Sequence, residues 1–192
     1  MLRLLIAIYA LKLKPWAVRQ RYRKRFRSRL RNAGLAGKLT AWAEWRNHAV
    51  MSDIIYPRSP RETMDGWPHL PRYIDKIRLH LAGKLHPDYQ QNYGSRGFDK
   101  SWLDAAGVTH AQMVEVVKRS ITDGEVCDWV KHNVKKSPAD KAALLASMLN
   151  YPKADDAEGI ARLKMRKEQA NLAQRDDIKN FVDFIDADEK RL

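Results

Sequence analysis

Arg61, Arg72, Lys76 and Arg78, with Asp75 among them, are the residues of this 192-residue chain whose types and spacing point most directly to chemistry. Guanidinium forks match the two oxygens of a carboxylate or phosphate, and an ammonium adds a point charge. Arg72 and Lys76 stand four apart, so a helix puts them on one face. Arg61 precedes that helix and can fold back over it. Asp75 can orient a guanidinium or pair with Arg78, three residues on. Read functionally, the five residues form a pocket for a small anion. Read structurally, they are ordinary ion pairs with Asp75, Asp65 or Glu62 as partners, and that is the commoner origin of such a pattern.

Other chemistries find less support. The histidines, at 48, 69, 80, 86, 110 and 132, lack the H-E-x-x-H and zinc-finger spacings. The one cysteine, Cys127, excludes an internal disulfide. Next to Trp129 on an amphipathic helix, it reads as a small apolar side chain rather than a nucleophile. Asp183, Asp186, Asp188 and Glu189 crowd the C-terminus without the glycine and spread ligands of a calcium loop. They are expected to be solvated or to cap a helix. Walker, G-x-G-x-x-G and G-x-S-x-G patterns are missing from the sequence. No metal and no cofactor are therefore expected.

The charge is unevenly spread. Net charge is +13 and the pI is 9.9, yet residues 1–50 carry 13 Lys/Arg against the single acid Glu44, for +12. Residues 51–192 carry +1. The densest block holds Arg21, Arg23, Lys24, Arg25, Arg27, Arg29 and Arg31. Such an arm can bind RNA, DNA or anionic lipid through counterion release and surface potential. A secretory signal or an organellar transit peptide also starts with basic residues, but Leu4–Leu11 is a short apolar run closed by Lys12 and Lys14. The favoured expectation is that the leader is no part of the working protein and that Met51 is its start. No apolar run approaches the roughly 18 residues of a membrane span, so a cytoplasmic location is expected.

The elements that must position these residues follow from local signals. Pro57, Pro60, Pro68 and Pro71 make 51–70 an irregular segment. Ile74, Ile77, Leu81 and Leu85 recur at helical spacing over 71–85, with Gly83 and Pro87 ending the run. Residues 86–97 read as a polar, glycine-containing loop that two tyrosines can pack down. Asp99 opens a short helix ended by Gly107. Thr109–Gln112, Thr122–Glu125 and Ser137–Asp140 are capping boxes ahead of three further helices. Asp155-Asp156 starts a long polar helical segment, and Ile178, Phe181, Phe184 and Ile185 form a stripe that docks it on the core. No period-two strand stands out. The fold class is all-α, a compact bundle of five to six short helices with an irregular Pro-rich opening and a long C-terminal helical segment.

Taken in order, these segments resemble a bacterial family known as domain of unknown function 5069. The stretches that carry the resemblance are Pro57-Arg58-Ser59-Pro60-Arg61-Glu62, Leu70-Pro71-Arg72-Tyr73-Ile74-Asp75-Lys76-Ile77-Arg78 and Leu81-Ala82-Gly83. They continue in Asp123-Gly124-Glu125-Val126-Cys127-Asp128-Trp129-Val130 and Phe184-Ile185-Asp186-Ala187-Asp188-Glu189. Lys190-Arg191 departs from the Gly-Arg expected there. The resemblance covers residues 55–190 and implies a small, mainly helical domain, with no activity, ligand or catalytic residue to carry over.

The reading is thus a leader over 1–50 and a helical domain over 51–192, acting as a non-catalytic binding or regulatory module. One alternative is an enzyme or binder of a small anionic ligand using Arg61, Arg72, Asp75, Lys76 and Arg78. The other is a nucleic-acid-associated protein acting through the basic arm. A protein partner is open in all three.

Overall fold

Pro57, Pro60 and Pro68 keep the chain extended or turning until Leu70. The structure, a computed structural model, describes residues 54–192; the basic block lies outside the described residues. Within the irregular stretch sits a two-stranded antiparallel hairpin, β1 (Thr63–Met64) and β2 (Trp67–Pro68), with Met64 opposite Trp67 and Thr63 opposite Pro68. The turn residues Asp65 and Gly66 have φ of 50° and 75°. Two left-handed central residues give the primed turn that matches the twist of paired strands, and Asp-Gly is among its preferred sequences. The sequence reading expects no strand. Two residues per strand are too few for a period-two pattern, so the Asp-Gly pair is the one usable signal.

Eight helices follow among the described residues, and the domain is mainly α-helical. They are α1 (Leu70–Leu81), α2 (Pro87–Gln90), α3 (Gly97–Ala106), α4 (His110–Arg119), α5 (Asp123–Asn133), α6 (Pro138–Leu149), α7 (Ala157–Ala170) and α8 (Phe181–Asp188). The three capping boxes form as expected. Thr109, Thr122 and Ser137 accept from the amides of Gln112, Glu125 and Asp140, whose side chains accept the return bonds. α1 ends at Leu81 rather than Leu85, because Gly83, at φ 66°, turns the chain away. The stretch expected as pure loop contains the single turn α2. No helix among the described residues is long and apolar enough to cross a membrane.

Ile55–Lys167 and Leu172–Leu192 form one compact unit. Its centre is Trp67, Leu70, Tyr73, Ile74, Ile77, Trp102, Met113, Val126, Val130 and Met148, all at most 1% exposed. β2 packs on α6, α1 on α4, and α6 on both α3 and α8. Trp67 and Trp102 meet edge to face with ring centroids 5.8 Å apart. Each such ring removes about 200 Å² from water, worth roughly 5 kcal/mol as an upper bound. The hairpin therefore delivers a principal core anchor, and Lys141 holds it to α6 by reaching Asp65 at 2.6 Å.

Candidate functional site

α1 is buried around well over half its circumference. Leu70, Ile74 and Ile77 face the bundle. His69, Arg72, Tyr73, Lys76 and His80 fall on an adjoining arc of about 100°. That polar arc is covered by residues 86–97 and the first turn of α3. His69, Arg72, Lys76 and Asp99 are each at most 5% exposed.

Asp99 is the hub of the first group. Its Oδ1 accepts from His69 Nε2 and from Lys76 Nζ, both at 2.7 Å, and its Oδ2 accepts the Gly94 N–H at 3.1 Å. Burial pushes the Asp99 carboxyl up, but Lys76 and His69 outweigh it and hold it below the usual carboxylate range. Burial drives the Lys76 ammonium down against the pull of Asp99. Burial also lowers His69 to about 4, so the ring is neutral at pH 7 and donates through Nε2. Its buried Nδ1 has no hydrogen-bond partner among the described residues. The His69 backbone is left-handed, at φ 66°, and its N–H is held by the carbonyls of Pro60 and Glu62. For a non-glycine residue this costs of order 1 kcal/mol, which the surrounding bonds must offset.

Glu189, just past α8, is the second hub. Arg72 forks onto it at 2.9 and 2.5 Å, Tyr89 donates its hydroxyl at 2.6 Å, and Arg191 also donates. Burial raises the Glu189 carboxyl, and Arg72, Tyr89 and Arg191 together pull it below its ordinary value. The Tyr89 ring lies against two of the cations of α1, with its centroid 5.5 Å from Arg72 Cζ and 5.8 Å from Lys76 Nζ. Tyr93 sits between His80 and His110, at 4.6 Å from each ring, and His110 Nδ1 meets the Tyr73 hydroxyl at 2.6 Å.

The third group is a clasp around the chain ends of the domain. Arg58 spans Asp75 at 2.9 Å and Asp123 at 2.8 Å, and Arg78 joins it on Asp123. Arg61 reaches Asp183 and Asp186. Ser59 donates to Asp186 at 2.8 Å, and Arg191 donates to the Pro57 carbonyl.

The predicted cluster is thus divided. Arg72 and Lys76 come together under one tyrosine ring, while Arg61, Asp75 and Arg78 belong to the clasp. Several expected partners change. Asp75 takes Arg58, Arg78 takes Asp123, and Arg61 folds onto α8 rather than over α1. Asp65 takes Lys141, and Glu62 accepts the Ser59 N–H. The C-terminal acids correct the expectation of a solvated tail. Asp183, Asp186 and Glu189 are 8%, 3% and 7% exposed, because α8 turns its acids inward to meet arginines from the opening segment and α1. Six cations, Arg58, Arg61, Arg72, Lys76, Arg78 and Arg191, face six carboxylates, Asp75, Asp99, Asp123, Asp183, Asp186 and Glu189.

Sequence reasoning gave no site role to His69, Asp99, Tyr89, Tyr93 and Glu189, although the two tyrosines do pack the segment down as expected. His69, Arg72, Tyr73, Lys76 and His80 do recur at core spacing, but with polar residues that pattern is not read as buried. Asp99 lies 30 residues from His69, and nothing local announces the pairing.

A search of curated proteins finds no match. A family model described as Domain of unknown function (DUF5069) matches residues 54–191. That span runs from the opening segment through Arg191 of the clasp, and on it the chain belongs to the DUF5069 family.

Proposed function

We propose that this domain is a non-catalytic binding module in which the outer ion pairs close the fold and the inner pair, Arg72 and Lys76, serves ligand binding. One observation carries the reading: six cations are matched by six carboxylates, yet only two of those cations, Arg72 and Lys76, are buried beside a single aromatic ring. Acid–base catalysis needs a group poised to exchange protons near neutral pH. Asp99 and Glu189 are held ionised by their cations, and His69 is held neutral by burial, so none of these three side chains is poised for proton exchange at pH 7. The basic residues 1–50 are a separate extension in this reading.

Melting in a series of small anions at fixed ionic strength tests it. Arg61→Ala and Arg78→Ala should lower the melting temperature equally with and without anion. Arg72→Met should remove whatever protection an anion gives the native chain. Protection that survives Arg72→Met but disappears in Arg61→Ala would reverse the assignment.

A further inference from the structure

Four oxidisable rings follow one another through the domain. Trp67 meets Trp102, and Trp102 meets Tyr73, each pair with ring centroids 5.8 Å apart. The Tyr73 hydroxyl meets His110 Nδ1 at 2.6 Å, and the Tyr93 ring lies 4.6 Å from that imidazole. Trp67, Trp102 and Tyr73 are 0% exposed, whereas His110 and Tyr93 are half-buried. Electrons pass readily between rings this close, so a hole placed on one of them is open to the others.

The fate of the proton separates these rings. A ring that loses an electron becomes a strong acid, and a base already in hydrogen-bond contact can take its proton. The indole nitrogens of Trp67 and Trp102 and the Tyr93 hydroxyl are buried with no hydrogen-bond partner among the described residues. Of the four rings, Tyr73 is the one that has a base. Burial pushes its phenol up and the His110 imidazole down, so at pH 7 a neutral phenol meets a neutral ring. Tyr73 then donates to Nδ1, and the His110 proton sits on Nε2. The Gly94 backbone packs against this bond, since a Cβ there would lie 2.0 Å from Nδ1. Nearby charges favour the same direction. Lys141 Nζ stands 5.6 Å from the Trp67 ring centroid and opposes a positive hole there, while the Asp99 carboxylate favours the protonated form of His110.

We propose that Tyr73 and His110 form a proton-coupled oxidation site that draws oxidising equivalents out of the core tryptophans. A one-electron oxidant of the free-radical class takes an electron from the row and leaves an indole radical cation. Tyr73 gives that indole an electron and passes its own proton to His110 Nδ1. The products are a neutral phenoxyl radical, an imidazolium and an intact tryptophan. A thiolate then supplies one electron, becoming a thiyl radical, and His110 returns the proton to the Tyr73 oxygen. This site is separate from Arg72 and Lys76 and goes beyond the binding they serve.

Pulse radiolysis of the full chain tests it, with azide radical as the oxidant because it takes single electrons from indoles. Tryptophan and tyrosine radicals are followed by their absorption. In the native chain a tryptophan-to-tyrosine phase should run at a rate independent of protein concentration. Tyr73→Phe, which deletes one oxygen, should lose that phase, and Tyr93→Phe should keep it. His110→Gln alters a half-buried position and should slow the phase, which keeps the test decisive if Tyr73→Phe fails to fold. The native phase should also slow as pH falls below 6.5, where His110, faced by Asp99, His80, Tyr73 and Tyr93, takes up a proton and ceases to be a base. Glutathione should shorten the life of the tyrosyl radical, and a radical indifferent to thiol would overturn the return step. A phase that survives Tyr73→Phe, or one that is unchanged both in His110→Gln and at low pH, would overturn the site.

Discussion

Replacing Asp99 with asparagine removes one charge and almost no volume, so its effect reports the electrostatics of the buried hub rather than packing. Three donors converge on this side chain, and it is 1% exposed. In Asp99→Asn the Lys76 ammonium, 5% exposed, loses its counter-charge, and an amide N–H₂ must face donors or rotate away from one of them. Breaking a buried pair from one side costs about 3–5 kcal/mol. For a domain of this size, at roughly 3–5 °C per kcal/mol, the melting temperature should fall by about 10–20 °C at pH 7. The deficit should shrink as pH rises toward 10. The folded variant then favours neutral Lys76 while the unfolded chain still binds the proton, so stability rises with pH in that window. Adding Lys76→Met to Asp99→Asn should recover at least half of the loss, because no charge is then left alone. Urea and thermal melts of the native chain, both single variants and the double variant measure this. A loss below about 1 kcal/mol for Asp99→Asn, or strict additivity in the double variant, would refute the view that Asp99 exists to hold Lys76.

Two other groups should pull stability in opposite directions with pH. His69 titrates near 4 in the fold against an ordinary 6.5, so its contribution is complete above pH 6.5 and is lost as pH falls toward 4, by about 3 kcal/mol. His69→Asn, chosen because asparagine tolerates the left-handed backbone, should remove that slope in urea melts between pH 4 and 6.5; an unchanged slope rejects the assignment. Asp188 is raised to about 6 by burial and by Glu189 and Asp88 beside it, so its effect is the reverse: full stability below pH 4, drained as pH rises through 6. Asp188→Asn should therefore stabilise the protein by up to about 3 kcal/mol at pH 7 and do nothing at pH 4, and a loss at pH 7 would show the carboxylate to be needed ionised. A chain beginning at Met51 should melt within about 3 °C of the full chain; any RNA binding by the full chain should weaken steeply with salt and vanish in the shorter one, and salt-sensitive binding retained by it would put the electrostatic footprint elsewhere.

Local signals carried the helices and failed on the pairings. A capping box is a contract between residues three apart, so Thr109, Thr122 and Ser137 could be read directly. The stripe on α8 was legible as a docking face but not its rotation. Ile178 and Val182 are buried, and with them Asp183 and Asp186, because Arg61, more than a hundred residues earlier, makes those acids welcome inside. The same distance hid the site. Arg72 and Lys76 could be placed on one face from spacing alone, but their carboxylates stand at Glu189 and Asp99, far along the chain and on different elements. Ion-pair partners carry no periodicity, and only the fold assigns them.

The clasp has a further consequence for how this chain could be rewired. Pro57 and Arg191 are joined by a hydrogen bond, and Ser59 and Arg61 are tied to Asp186. The first and last segments of the domain therefore lie side by side. A short linker from Leu192 back to Tyr56 would close the domain into a ring, and new ends could be opened at the exposed turn around Ile121, which is 87% exposed. In such a permuted chain the Arg72–Glu189 partners, 117 residues apart in the native order, come within a few tens of residues, and the long loop that folding must now close is shortened before any contact forms.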